Sequence, residues 1–325
     1  MTDRLFYAYA RHALVTALRM AQVTAGSSVL IPHFICRDVL ASISAVGAKP
    51  VFYDIDDDLQ ISQNTMLPSA SAVLAVNYFG FPADLGRLRQ QLSDPTTIII
   101  EDNAHGWLSA DENGVPLGTR TALGITSFRK TIRVVDGAFL DWNTDQLSAS
   151  VVTPNQPTSR TEVLPLSFRI RAGIASIDER SPLPLMTVGR RSIRRLRSLT
   201  GAKAINERAQ EEWQLPAHEA IHQSSLERFE RTDLVAEVVR RRNAFTTCQT
   251  LAERFDIRMP TIDFGPHVSP QGFPFFADSG NVESFRTAVT RAKIGEVVSW
   301  PSLPSATTLS PSSKLRNVCL VNFLQ

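Results

Sequence analysis

Cysteine is scarce. Cys36, Cys248 and Cys319 are the only three in a chain of 325 residues, and they lie far apart. An odd, widely spaced set matches neither a disulfide framework nor a zinc-ligand spacing, and it points to a reducing compartment. Charge of one sign is also lacking. The formal net charge is +2, so no global field draws the chain to nucleic acid or to an anionic membrane surface. No apolar run approaches the roughly 18 residues of a membrane span. The opening MTDRLFYAYARHAL has an early acid, Asp3, and no apolar stretch long enough for a signal peptide. Internal repeats and low-complexity tracts are absent. These absences leave a soluble, cytoplasmic protein as the expectation. Hydrophobic residues make up 43% of the chain, enough for a substantial core. The length suits two lobes, or one large α/β domain with an appendage.

What is present alternates strand and helix signals through the first 150 residues. YARHALVTALRMA (9–21) has apolar residues at helical spacing, and SSVLIP (27–32) is a short apolar run stopped by proline. RDVLASISAVGAKP (37–50) predicts a helix closed by Gly47 and followed by Pro50. VFYDID (51–56), AVLAVNYFG (72–80), TIIIED (97–102), LGITSF (123–128) and GAFLDW (137–142) predict strands, and PADLGRLRQQL (82–92) a helix opened by proline. Strands apolar on both faces with helices between them imply a mostly parallel sheet covered on both sides. From about 150 to 180 the prolines and hydroxyls of VVTPNQPTSRTEVLPLS predict a loop or crossover. Further on, LVAEVVRRRNAFTTCQTLAERF (234–255) and VESFRTAVTRAKIG (282–295) predict helices, and FPFFAD (273–278) and VVSWPSLP (297–304) strands. The division expected is a large α/β domain over 1–200 and a smaller C-terminal α+β domain over 201–325.

Open α/β sheets hold ligands at the carboxyl ends of their strands. IIIEDNAHG (98–106) delivers Glu101, Asp102 and His105 at such an end, and a second strand ends SFRK, with Ser127 and Lys130, before Asp136-Gly137. An acid, a hydroxyl and a lysine at neighbouring strand ends are the parts that a pyridoxal phosphate enzyme needs. A carboxylate opposite the ring nitrogen keeps it protonated, which makes the cofactor an electron sink. A hydroxyl and free backbone N–H groups bind phosphate. A lysine amine attaches to the aldehyde, and its ammonium pKa must fall for that.

Four stretches in order resemble one family. These are VLIPHFICRDVLASISAVGAKPVFYDID, AVLAVNYFGFPADL, IIIEDNAHG and SFRKTIRVVDGAFL. They are similar to the DegT/StrS-type sugar aminotransferases of pyridoxal phosphate (PLP) fold type I. The resemblance covers roughly residues 9–142 and is weaker beyond, although SWPSLP and NVCLVNFLQ are similar to the family's last segments. It implies a mostly parallel central sheet with a smaller C-terminal α+β domain, a homodimer with the active site at the interface, and transfer of an amino group, for instance from glutamate, to a keto-sugar that is perhaps nucleotide-linked in the family's manner. Lys130 would be the catalytic lysine that carries the cofactor and shuttles a proton. Asp102 would pair with the pyridine nitrogen, His105 would lie near the ring or its phenolic oxygen, and Ser127 would contact the phosphate. The helix start at Arg11 and His12 would offer backbone N–H groups to that phosphate.

The departures are specific. Family members place several residues between the serine and the lysine, whereas only Phe128 and Arg129 intervene here. The phosphate loop is therefore tighter, and Arg129 is a candidate to help bind it. Cys36 stands where many members stack an aromatic ring on the cofactor, with Phe34 or His33 as possible substitutes. The paired glycine is Gly137-Ala138, and the glycine of the first helix is Ala10. Relatives that dehydrate deoxysugars replace the lysine by histidine, so Lys130 argues against that alternative. A degenerate, non-enzymatic member is the third reading.

Two charged stretches carry less. Asp54, Asp56, Asp57 and Asp58 read as a solvated acidic loop, since nothing near them supplies the remaining ligand geometry of a metal site. The five arginines between Arg190 and Arg197 could fork onto a diphosphate or simply form a solvated helix face. No aromatic residues interleave with them, which disfavours nucleic acid.

Overall fold

The computed structural model describes residues 2–63, 66–147, 154–164, 168, 212–300, 303–307, 309 and 311–324. The arginine run 190–197 and the expected division at 200/201 lie outside them.

Seven strands form the larger sheet: β1 (Thr2–Tyr7), β2 (Ser28–Pro32), β3 (Lys49–Tyr53), β4 (Ala72–Val76), β5 (Ile98–Asn103), β6 (Leu123–Thr126) and β7 (Ala138–Asn143). Their order across the sheet is β1-β7-β6-β5-β4-β2-β3. The pairs from β3 through β6 are parallel, while β7 runs antiparallel between β6 and β1. β4, AVLAV, is buried at every position, as a strand covered on both faces must be. Pro50 falls inside β3 rather than at a helix end. Proline lacks a ladder donor, and β3 is an edge strand, where that lack costs little.

Three helices flank this sheet: α1 (Ala10–Met20), α2 (Val39–Ala45) and α3 (Leu85–Gln91). α1 buries Leu14, Ala17 and Leu18 along one stripe. α2 is closed by Gly47 at φ +70, where an added Cβ would crowd Ala25. Glycine takes this left-handed conformation without a Cβ penalty, which is why it ends helices.

Two elements were not anticipated. β1 has polar Asp3 and Arg4 and gives no clean apolar signal, yet it completes the sheet beside β7, with Arg4 bonded to Asp141 at 2.6 and 2.8 Å. β10 (Val318–Asn322) is the central strand of a second, three-stranded antiparallel sheet, between β8 (Gly272–Phe276) and β9 (Glu296–Ser299). The smaller sheet packs with α5 (Leu234–Arg254) and α6 (Val282–Arg291), through buried Phe245, Phe273, Phe275 and Phe285. Each such ring contributes about 1.5–3 kcal/mol by leaving water. A further helix, α4 (Gln223–Glu230), follows Ile221, which packs against Phe128 and Phe139 of the large lobe. The apolar core is continuous between the lobes; the Phe81 and Phe245 rings, one from each, are 5.6 Å apart.

Candidate active site

A strand shows successive side chains to opposite faces, and at the end of β5 this separates two acids. Glu101 turns into the protein and is fully buried. It accepts from Asn77 Nδ2 at 2.8 Å, from Arg120 Nε at 2.8 Å and from the Arg120 backbone N–H at 3.1 Å. Its neighbour Asn103 is held by Leu117 O and Thr126 Oγ1. Asp102 points the other way, into a cavity of about 380 Å³, within the usual range for small-molecule sites. Val76, Asp102 and Ile125, near the carboxyl ends of β4, β5 and β6, share its floor. Asp102 Oδ1 accepts from the Ala104 N–H at 3.0 Å. Burial raises its pKa, and the nearby Lys130 ammonium works against that rise.

The compact SFRK spacing has a structural cause. Phe128–Lys130 form a single 3-10 turn after β6, with the Lys130 N–H donating to Ser127 O at 3.1 Å. Residues i and i+3 eclipse in such a turn, so Ser127 and Lys130 both line the cavity, as does Arg129. Phe128 turns the opposite way, into a cluster with Phe6, Trp107, Phe139 and Phe229. Gly137, at φ +147, leaves the space that this ring occupies; any Cβ there would overlap it.

Lys130 Nζ lies 3.0 Å from His105 Nε2. Burial, then the Arg129 guanidinium, lowers the lysine pKa. Burial, then Lys130, holds His105 well below the usual histidine value. The other ring nitrogen, Nδ1, accepts from the Phe79 backbone N–H at 3.3 Å, and the His105 and Phe79 rings are parallel within 9°. Phe79 is a buried non-glycine residue at φ 56, a strained conformation of the kind found at functional sites.

The sequence-derived residues Lys130, Asp102, His105, Ser127, Arg11 and Cys36 are brought together around this one cavity. His12 is the exception. Its backbone N–H donates to Tyr9 O at 3.0 Å and its ring faces Pro216 O at 3.1 Å. The helical turn rotates it away from the cavity that Arg11 faces. Phe34 and His33 do not substitute for the ring missing at Cys36 either. Phe34 is buried behind the wall, stacked on Trp300 at 4.7 Å, and buried His33 is directed at Asp54 and Tyr53. The cavity wall instead includes Trp300, along with Tyr9, Asp38, Phe79, Gln271 and Asn322. The acidic loop is occupied with structural bonds. Asp56 accepts from the N–H groups of Asp58 and Gln60, Asp57 pairs with Lys314, and Asp58 caps Thr261.

Unpartnered atoms test whether these residues suit a phosphorylated pyridine aldehyde. Ser127 Oγ and Arg129 Nε are buried without a hydrogen-bond partner. The N-terminal end of α1, at Tyr9, has no side-chain cap. A hydroxyl, a guanidinium and an uncapped helix N-terminus together suit a phosphate. Buried Asp102 suits a cationic ring nitrogen, and the depressed lysine suits an aldehyde. The residues present fit pyridoxal phosphate.

Comparison with known proteins agrees with this geometry. The whole-chain fold is that of the fold type I sugar aminotransferases. A DegT/DnrJ/EryC1/StrS aminotransferase from Brucella abortus superposes with a TM-score of 0.60 at 17% identity, covering 99% of this chain and 80% of that one. The sugar aminotransferase CalS13 from Micromonospora echinospora gives 0.59 at 16% identity, covering 98% and 82%. The profile of the DegT/DnrJ/EryC1/StrS aminotransferase family matches residues 7–153, and this part of the chain belongs to that family. A UDP-N-acetyl-3-dehydro-alpha-D-glucosamine 3-aminotransferase from Acidithiobacillus ferrooxidans is 30% identical over 36% of this chain and 32% of its own length. GDP-perosamine synthase from Vibrio cholerae is 30% identical over 41% and 38%. The matched stretch thus spans about a third of these curated relatives, and it is the stretch that carries Asp102, His105, Ser127 and Lys130.

Proposed function

We propose that this chain is a pyridoxal phosphate-dependent aminotransferase that moves an amino group, such as that of glutamate, onto a keto-sugar, with a nucleotide-linked sugar as the leading acceptor class. The observation that carries the reading is the convergence of Lys130, Asp102 and Ser127 on one cavity at the carboxyl edge of a parallel sheet. The aminotransferases among its relatives support the acceptor class.

When bound, the cofactor supplies an aldehyde to hold the amino group and a ring to receive electrons. The chain's own residues do the rest. Asp102, as a buried carboxylate, holds a proton on the ring nitrogen. Lys130 anchors the cofactor through its amine and, once released by the amino donor, takes and returns the proton at the reacting carbon. Ser127, Arg129 and the start of α1 hold the phosphate and so fix the ring's position. Trp300 and Phe79 wall off water on the side of the small lobe. We propose also that two copies pair with the site at their interface, as the fold's relatives suggest.

An absorbance scan of purified protein, before and after glutamate, tests this. Bound cofactor gives a visible band that glutamate shifts, and Lys130→Ala loses it. A Lys130→Ala protein with an unchanged band would overturn the assignment. Conversion of a keto-sugar without consumption of an amino donor would point to dehydration instead.

A further inference from the structure

His105 sits between two partners that together fix where its proton is. The Phe79 backbone N–H can only donate, so Nδ1 must offer it a lone pair. That peptide cannot turn away. The Phe79 carbonyl accepts from the Gln271 N–H at 2.8 Å, and the next residue, Gly80, is at φ +94. At Gly80 the chain also runs against its surroundings, because an added Cβ would lie 3.1 Å from His105 O and 3.2 Å from Gln271 N. A neutral imidazole with Nδ1 accepting carries its hydrogen on Nε2. Nε2 faces Lys130 Nζ at 3.0 Å. A donor there needs a lone pair opposite it, and an ammonium has none.

We propose that His105 is a positioning residue that donates its Nε2–H to Lys130 and thereby holds the lysine as a neutral amine, aimed and nucleophilic, before any cofactor arrives. The surroundings agree. Arg129, on the same turn as Lys130, disfavours the ammonium, as does burial. The acids Asp102 on β5 and Asp38 before α2 favour it, as does Cys36 if ionised, and burial and Asp38 keep that thiol from ionising. The proposal explains why a strained Phe79 is kept: its peptide selects the tautomer. It rests on the proposed role of Lys130, but its test needs no cofactor.

The test is arylation of Lys130 in cofactor-free protein by 2,4-dinitrofluorobenzene, which attacks neutral amines, followed across pH by peptide mass mapping. In the unmutated protein the rate should stay level down to about pH 7. His105→Phe keeps the stack on Phe79 but removes both nitrogens. It should lose roughly ten-fold in rate near pH 7, the effect of a one-unit rise in the lysine pKa. His105→Gln, whose amide can donate, should recover most of that loss. Coincident pH profiles for the unmutated and His105→Phe proteins would overturn the proposal. Should His105→Phe not fold, the 15N shifts of the unmutated protein's imidazoles decide. The Nε2–H tautomer at His105 supports the proposal and the Nδ1–H tautomer overturns it. A normal arylation profile in a protein that gives no cofactor band would sink the proposed function and leave this inference standing.

Discussion

Gly137 and Phe128 occupy each other's space: the glycine has no side chain because the phenyl ring lies where a Cβ would be. The same ring anchors the 3-10 turn that presents Ser127 and Lys130. Gly137→Ala must therefore push Phe128 out of its aromatic cluster while straining a backbone at φ +147. Overpacking of this kind costs about 1–3 kcal/mol, and the conformational strain adds to it. The expected outcome is a lower urea midpoint together with weakened cofactor binding, read by absorbance titration. A variant with unchanged midpoint and affinity would show that the ring has room to move.

Glu101 and Asp102 should respond in opposite ways. Glu101→Leu leaves the Arg120 guanidinium, which is 9% exposed, without its partner. Breaking a buried pair on one side costs about 3–5 kcal/mol. Asp102→Asn removes a carboxylate that burial already disfavours, so the fold should keep its stability or gain slightly. It should lose cofactor affinity, because a neutral amide cannot balance a protonated ring. Urea melts and cofactor titrations of both variants check this. Comparable destabilisation by the two would mean that Asp102 serves the fold.

Much of this was legible in the residues. A run of isoleucines that stops at acids marks a buried strand ending at a site, and four ordered motifs up to residue 142 pointed to one family. Ser127 and Lys130 were legible as types, whereas the reason for their tight spacing was not, because a single 3-10 turn leaves no periodic signature. β1 was hidden by its polar Asp3 and Arg4, whose partners Trp142 and Asp141 are far along the chain. Trp300 was quoted in a motif, but its place in the cavity wall depends on how the second sheet packs on the first. The His105 tautomer depends on one peptide orientation at Phe79, which side-chain identity does not encode.

Acid should destabilise the protein earlier than its carboxylates would suggest. Burial lowers the pKa of His12, His33 and His105 below 6.5. Below that value the unfolded chain takes up protons that the folded one refuses. Stability is therefore full above about pH 6.5 and falls as pH drops, with a limiting slope of about 1.4 kcal/mol per pH unit for each such group. Asp102 and Asp141, raised from 3.8 by burial, act in the opposite sense at lower pH. Urea midpoints at descending pH should decline from about pH 6.5, and a flat profile would contradict the histidine environments.

Arg241 ties the lobes at the point where Lys130 is held. It is 1% exposed, and its guanidinium donates to Glu237 at 2.6 Å, to Pro270 O and Gln271 O at 3.1 Å and to Thr131 O at 2.7 Å. Thr131 follows the catalytic turn directly, and Gln271 anchors the Phe79 carbonyl. Burial brings the Arg241 pKa down to about 10, so it stays charged at neutral pH. Arg241→Met fills much of the space but strands Glu237 and three carbonyls, at a cost of about 3–5 kcal/mol. Arg241→Lys keeps the charge and loses the fork, since an ammonium is a point donor that cannot span the four acceptors. Both variants should lower the thermal midpoint. Because the lost bond lies one residue from Lys130, Arg241→Lys should also release the cofactor faster, which dilution followed by absorbance measures. Faster unfolding with an unchanged release rate would confine Arg241 to holding the lobes together and detach it from the site.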